Sequence, residues 1–150
     1  MKKYNWAILG CGKIAGKFSS DLKLLKNANL YAAASRSLER ANNFAEEHGY
    51  KKAYGSYLEL VEDPDVDVVY IATPHSHHME HSMLCLDHKK AVLCEKALAL
   101  NAKEVEAMIE SSRKNKTFLM EAFWTIFQPK FKKVLELASD PELGQLKFVK

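Results

Sequence analysis

Ala7-Ile8-Leu9-Gly10-Cys11-Gly12-Lys13-Ile14-Ala15-Gly16 is the stretch that decides the fold. Ahead of the glycines, Tyr4 to Leu9 is an apolar run of the kind a buried parallel strand needs. Behind them, Ile14, Phe18, Leu22 and Leu25 recur at helical spacing and fall on one face. The order is therefore strand, tight turn, helix. The turn reads G-x-G-x-x-A, the small-residue variant of a dinucleotide fingerprint. Gly10 allows the sharp turn, Gly12 lets the backbone approach a pyrophosphate, and Ala15 lets the helix pack closely on the strand. The free N–H groups and positive dipole end of that helix supply an anion site. Gly10, Cys11, Gly12, Lys13 and Ile14 are the first candidate cofactor-binding residues.

The helix is predicted from Lys13 to Lys26, and a second strand from Leu30 to Ala34 ends at Ser35-Arg36-Ser37. This junction bears on the choice of cofactor. An NAD-specific pocket usually places an Asp or Glu here to accept hydrogen bonds from the ribose 2′-hydroxyl, and that carboxylate would repel a 2′-phosphate. The sequence has none. Ser35 offers a hydroxyl, Arg36 a planar guanidinium suited to phosphate or to stacking on adenine, and Arg40 stands one helical turn on. NADP(H) is favoured, with NAD(H) as the alternative. The competing reading leaves Arg36 and Arg40 in solvent and gives Ser37 only the capping of the next helix.

That helix is predicted from Leu38 to His48, with Gly49 behind it. A short strand follows at Lys52 to Tyr54, a short helix opens at Ser56-Tyr57-Leu58-Glu59, and an almost wholly apolar strand spans Val66 to Ala72. Strands alternating with helices imply an α/β fold: a doubly wound parallel sheet of Rossmann type with helices on both faces. Ligands bind such sheets beyond the carboxyl ends of the strands. Thr73-Pro74-His75-Ser76-His77-His78 sits at one such end. Thr73, Pro74 and His75 are read as walls of the cofactor cleft, with His78 pointing back toward it and His77 and His81 partly exposed. His77 and His81 are one turn apart, which suits zinc, but the sequence offers no H-E-x-x-H carboxylate and no further ligand. No metal site is expected.

A strand at Ala91 to Cys94 delivers Glu95 and Lys96 to the same edge. The pair is either an exposed ion pair of little consequence or catalytic, with Lys96 hydrogen-bonding a substrate hydroxyl as it gains alkoxide character. Asn101 caps a further helix with Val105, Met108 and Ile109 facing inward, and a strand is predicted at Thr117 to Met120. Phe123 and Trp124 read as core aromatics at the sheet edge. Pro129 opens a last helix with Phe131, Val134, Leu135 and Ala138 on its apolar side, and Gln145 to Lys150 alternates like a half-buried strand left without a partner. Residues 1–125 are thus expected to be one domain, and 126–150 the connecting helix and first strand of a truncated second one.

The 150 residues are enough for one domain with a core. The net charge of +3 comes from scattered lysine pairs, which excludes the clustered stripe that nucleic acid requires. Three cysteines, Cys11, Cys85 and Cys94, lack metal-type spacing and suggest a reducing compartment. With no signal peptide and no apolar run of about 20 residues, a cytoplasmic protein with no membrane partner is expected.

Taken together, the Gly10 to Ala15 turn, Ala34-Ser35-Arg36, Ala72-Thr73-Pro74 with His78, Leu93-Cys94-Glu95-Lys96 and Leu119-Met120-Glu121-Ala122-Phe123-Trp124 resemble one family. It is the glucose-fructose oxidoreductase and inositol dehydrogenase (Gfo/Idh/MocA) family, in the branch that includes dihydrodiol and xylose dehydrogenases. The resemblance implies an N-terminal Rossmann domain followed by a C-terminal α/β domain, which carries the rest of the substrate site and usually the dimer interface. This chain would then be the N-terminal part of a dimeric protein roughly twice as long.

The resemblance also implies that Lys96 is catalytic. It places Thr73, Pro74, His75, His78, Glu95, Lys96 and Trp124 along the cofactor cleft. The implied reaction is hydride transfer between NADP(H) and a CH–OH or C=O carbon of a sugar, polyol or dihydrodiol. Two departures stand out. Ile126 replaces a frequent arginine of the branch, and Ala97 replaces the proline of Glu-Lys-Pro, so the Lys96–Ala97 bond is expected trans because cis costs a non-proline residue about 2.5–4 kcal/mol. The alternatives are an NADPH-sensing module without chemistry and, more weakly, a methyltransferase, whose strand-end carboxylate is missing. The isolated chain is expected to bind cofactor with little turnover, and its unpaired edge to favour self-association.

Overall fold

The computed structural model describes residues 2–144 and 147; apart from Lys147, the predicted closing strand at 145–150 lies outside them. Six strands form one sheet: β1 (Tyr4–Leu9), β2 (Ala28–Ala34), β3 (Lys52–Tyr54), β4 (Val68–Ile71), β5 (Ala91–Cys94) and β6 (Leu119–Glu121). Their order is β3-β2-β1-β4-β5-β6 and every neighbouring pair is parallel. The helices are α1 (Lys13–Leu22), α2 (Leu38–His48), α3 (Tyr57–Glu62), α4 (His78–Asp87), α5 (Ala102–Asn115) and α6 (Pro129–Ala138). This is the predicted doubly wound sheet. Strand order reverses between β1 and β4, the point at which sheets of this kind bind ligands beyond their carboxyl ends.

The alternating side chains of the strands build two cores. On one face Ile8, Ala33 and Tyr70 pack with Ala15 of α1 and Phe44 and Ala45 of α2. On the other, Leu9, Ala34, Ile71 and Cys94 pack with Leu60 and Val61 of α3 and Cys85 and Leu86 of α4. Fully burying a side chain such as Ile8, Leu9 or Ile71 stabilises the fold by about 1.5–3 kcal/mol. The run of alanines in β2 has a packing reason: Ala32, Ala33 and Ala34 are all fully buried between helices on both faces.

Local signals set the helix ends. Ser37 Oγ accepts the Arg40 N–H at 3.3 Å, Ser56 Oγ accepts that of Leu58 at 3.1 Å, and Asn101 Oδ1 that of Glu104 at 3.1 Å. Gly49 closes α2 in the left-handed conformation, φ 76°. The first helix stops at Leu22 rather than Lys26, because Leu24 and Leu25 donate to Asp21 and Leu22 in tighter three-residue turns. β2 starts earlier than predicted, β4 is shorter at both ends, and β6 runs from Leu119 to Glu121 instead of from Thr117 to Met120.

Several expectations about burial fail; Ile109 of α5, expected to face inward, is exposed. Phe123 and Trp124 are exposed rather than core. On α6, Val134 and Leu135 face solvent. Ile14 and Leu25 are also exposed, so α1 buries a narrower stripe than its sequence suggests. None of the described helices is long and apolar enough to cross a membrane.

Candidate dinucleotide and active site

Register brings the site together. Leu9 lies opposite both Ala34 and Ile71, Ile71 opposite Cys94, and Cys94 opposite Glu121. The residues that follow therefore emerge along one edge: Gly10, Ser35, Ala72-Thr73, Glu95-Lys96 and Ala122.

The glycine turn meets the demands made of it. Gly10 has φ 101°, a region that side chains avoid, and a Cβ there would stand 2.9 Å from Thr73 Cγ2 and 3.1 Å from the Ala72 carbonyl. Its N–H donates to the Ala34 carbonyl at 3.0 Å, tying the turn to β2. Gly12 is the N-cap of α1; no side chain caps the helix and no acidic residue stands in its first turn. A Cβ on Gly12 would meet nothing within 4 Å. An uncapped helix N-terminus beside open space fits the pyrophosphate of a dinucleotide. Lys13 and Ile14 are exposed there, while Cys11 is half-buried, its Sγ 3.4 Å from the Ala34 carbonyl oxygen. Burial pushes the Cys11 thiol up to about 11, against the opposing pull of Arg40.

At the end of β2, Ser35 is buried and its Oγ accepts the Ser37 N–H at 3.4 Å. Arg36 and Arg40 are exposed, and an Arg40 Nη donates to the Cys11 carbonyl at 3.4 Å. The Arg40 guanidinium therefore meets the glycine turn, Arg36 stands exposed just beyond the end of β2, and no carboxylate takes the place of Ser35 or Arg36.

At the end of β4, Thr73 is buried and Pro74 and His75 are exposed. His78 is fully buried, with Nε2 2.8 Å from the Thr73 carbonyl oxygen and Nδ1 2.8 Å from that of Ala97. It joins the loop after β4 to the loop after β5 rather than presenting a free nitrogen to the cleft. His81, expected to be partly exposed, is buried, and its Nδ1 lies 2.9 Å from Thr73 Oγ1.

At the end of β5, Lys96 is exposed. Glu95 Oε2 accepts the Lys96 N–H at 3.2 Å, and Glu95 Oε1 accepts a hydrogen bond from the Tyr70 hydroxyl. The Lys96–Ala97 bond is cis, against the expectation of trans. That expectation treats the peptide in isolation, whereas here the fold holds the next groups along: the Ala97 carbonyl by His78, and the Leu98 N–H by Glu121 Oε1 at 2.9 Å.

A cavity of about 560 Å³ lies on the α1 face of β4, β5 and β6, walled by Ile14, Phe18, Tyr70, Glu95, Phe123 and Trp124. It gathers Ile14, Glu95 and Trp124 from the predicted residues. The phosphate-side candidates, Ser35, Arg36, Arg40 and Thr73, are not among its walls. Tyr70 and Glu121, whose hydrogen bonds to Glu95 and to the Leu98 N–H brace this edge, were missed by the sequence reading. A signal existed for Tyr70, the one residue with a polar tip in the otherwise aliphatic β4.

This edge defines a dinucleotide-binding Rossmann domain. The family described as "Oxidoreductase family, NAD-binding Rossmann fold" (GFO_IDH_MocA) matches residues 4–123, and the chain belongs to it. Trans-1,2-dihydrobenzene-1,2-diol dehydrogenase of Danio rerio is 45% identical over 147 residues, covering 97% of this chain and 44% of that protein. The Homo sapiens protein of the same name is 43% identical over 144 residues, covering 95% and 43%. The chain thus spans less than half the length of these relatives. Among solved structures, an NAD binding oxidoreductase from Klebsiella pneumoniae superposes with a TM-score of 0.86 at 30% identity, over 95% of this chain and 40% of that one. A 3-ketoreductase from Actinomadura kijaniata, solved with NADP, gives 0.86 at 29% identity over 91% and 44%.

Proposed function

We propose that this chain is the nucleotide-binding and lysine-bearing part of an NADP(H)-dependent oxidoreductase acting on a CH–OH or C=O carbon of a diol or sugar. The observation that carries the reading is the convergence, on one sheet edge, of the Gly10–Gly12 turn, the Arg36 and Arg40 guanidinium groups, and Glu95-Lys96. When bound, the nicotinamide of the cofactor supplies the hydride exchange. The chain's own residues do the rest. The first-turn amides of α1 hold the pyrophosphate, and Arg36 pairs with a 2′-phosphate. Lys96 hydrogen-bonds the substrate oxygen and stabilises charge that develops on it. Glu95, held by Tyr70, fixes the backbone from which Lys96 projects. The relatives named as diol dehydrogenases support the substrate class, and the NADP-bound neighbour supports the cofactor.

Calorimetric titration with NADPH and NADH tests the nucleotide half. Tighter NADPH binding that is lost in Arg36→Ala supports the assignment; equal affinity for both nucleotides, unchanged by the substitution, overturns it. Steady-state assays of Lys96→Ala in the intact protein test the chemical half. Dinucleotide binding in a wild-type protein without turnover on any diol or sugar would instead favour a sensing module.

A further inference from the structure

A second set of chemically capable side chains lies on the first turns of α4. One ring nitrogen of His77, one carboxylate oxygen of Glu80 and one ring nitrogen of His81 lie within 4.8 Å of one another. Helical spacing produces this, because residues three and four apart share a face. His77 Nδ1 is 3.5 Å from Glu80 Oε2, and the two imidazole rings stack with centroids 5.5 Å apart. Glu80, three residues after His77, is the further ligand that the sequence reading passed over.

The three groups are prepared in different ways. His77 and Glu80 are accessible, with side-chain exposures of 46% and 76%, so an ion can reach them from solvent. His81 is buried and oriented. Its Nδ1 is taken by Thr73 Oγ1 at 2.9 Å, which leaves Nε2 for a ligand, and the Tyr57 ring meets it edge-on at 4.7 Å. A hydrogen bond to the far nitrogen is the usual support of a metal-binding histidine, since it fixes the tautomer and the ring plane. The dipole at this end of α4 disfavours a cation, and the Glu80 carboxylate offsets that cost.

We propose that His77, Glu80 and His81 form a binding site for a divalent transition-metal ion of the zinc class. Two imidazoles and one carboxylate select such ions over magnesium or calcium, which prefer all-oxygen shells. Water fills the remaining coordination position.

The test is titration of Zn²⁺ into the intact protein, alongside His77→Ala and Glu80→Gln, with Co²⁺ absorption as a second readout. We expect wild-type protein to bind Zn²⁺ and each substitution to weaken binding tenfold or more. Thr73→Val, which keeps the shape but removes the hydroxyl that orients His81, should weaken it by about tenfold. Bound Co²⁺ should show the bands of nitrogen and oxygen ligands without thiolate charge transfer, and should lose them in His77→Ala. His77 and Glu80 lie on the surface, so both variants should fold. Wild-type protein that binds no Zn²⁺ at millimolar concentration overturns the proposal. So does binding that neither His77→Ala nor Glu80→Gln changes.

Discussion

The Tyr70 hydroxyl donates a hydrogen bond to Glu95 from within the sheet, and the other oxygen of that carboxylate accepts the Lys96 N–H. Tyr70 is itself fixed, stacked on Phe18 with ring centroids 3.8 Å apart. Burial and the Glu95 carboxylate hold the Tyr70 phenol well above its ordinary range, so it remains a donor at any pH the protein meets. A chain of contacts therefore runs from α1 through β4 to the exposed lysine.

Tyr70→Phe keeps the stacked ring and removes only the donor. The expected result is a fall in kcat of about tenfold to a hundredfold, as for other small misplacements of a reacting group. NADPH affinity should stay within about twofold of wild type, because the phosphate contacts are elsewhere, and loss of one hydrogen bond should cost stability about 1 kcal/mol. An unchanged kcat would refute the positioning role.

The two glycines of the turn separate folding from binding. Gly10→Ala places a methyl group 2.9 Å from Thr73 Cγ2 and against the Ala72 backbone, at φ 101°. It should destabilise the domain by about 1–3 kcal/mol. Gly12→Ala meets nothing within 4 Å in the protein. Its stability should change by no more than about 1 kcal/mol, yet dinucleotide binding should be lost, because the methyl group takes the space the pyrophosphate needs. Thermal denaturation and calorimetry of both variants check the contrast.

The sequence made the βαβ unit and its partners legible because their signals are local: a glycine turn, apolar strands at regular intervals, and Ser37, Ser56 and Asn101 at helix starts. The strand-end rule then gathered Arg36, Thr73 and Lys96 on one edge without any knowledge of contacts. What escaped depended on side chains meeting across elements. His78 reads as a cleft residue until its two nitrogens are seen to bridge the Thr73 and Ala97 carbonyls. Tyr70 reads as a strand residue until Glu95 is found beyond its hydroxyl. Phe123, Trp124 and the α6 stripe read as core from hydrophobicity, but burial also requires an opposing surface.

The cysteines should be slow to react in the folded protein. Burial pushes the Cys11 thiol up to about 11 and that of Cys94 up to about 12, and raises Cys85 as well. Only Cys11 is partly exposed. Iodoacetamide at neutral pH should therefore label native protein far more slowly than unfolded protein, whose thiols titrate near about 8.5. As pH is raised toward 10, Cys11 should label first, and NADPH should protect it because Cys11 lies in the glycine turn. Peptide mapping after timed alkylation reads both effects.

Away from the cleft, Asp63 organises the far side of the sheet. Its carboxylate accepts Lys52 Nζ at 2.9 Å, the Tyr54 hydroxyl at 2.6 Å, the Asp65 N–H at 2.9 Å and the Tyr31 hydroxyl at 3.1 Å. Its backbone carbonyl accepts buried Lys90 Nζ at 2.6 Å. Burial alone would raise the Asp63 carboxyl, but Lys52, Tyr54, Asp65 and Tyr31 together hold it well below the usual carboxylate range. A depressed folded value fixes the sign: the unfolded chain binds the proton more readily, so the stabilisation is complete above about pH 5. It is lost as pH falls below the unfolded value of about 3.9 toward the lower folded one. Asp63→Ala leaves the Tyr54 hydroxyl and the Asp65 N–H without their acceptor, while the Tyr31 hydroxyl keeps Asp65 Oδ2 at 3.1 Å, and should cost about 2–4 kcal/mol at pH 7. Denaturant unfolding from pH 7 down to pH 3 should show wild type and variant converging as the pH drops. Parallel curves over that range would mean that Asp63 is not the group whose protonation weakens the fold.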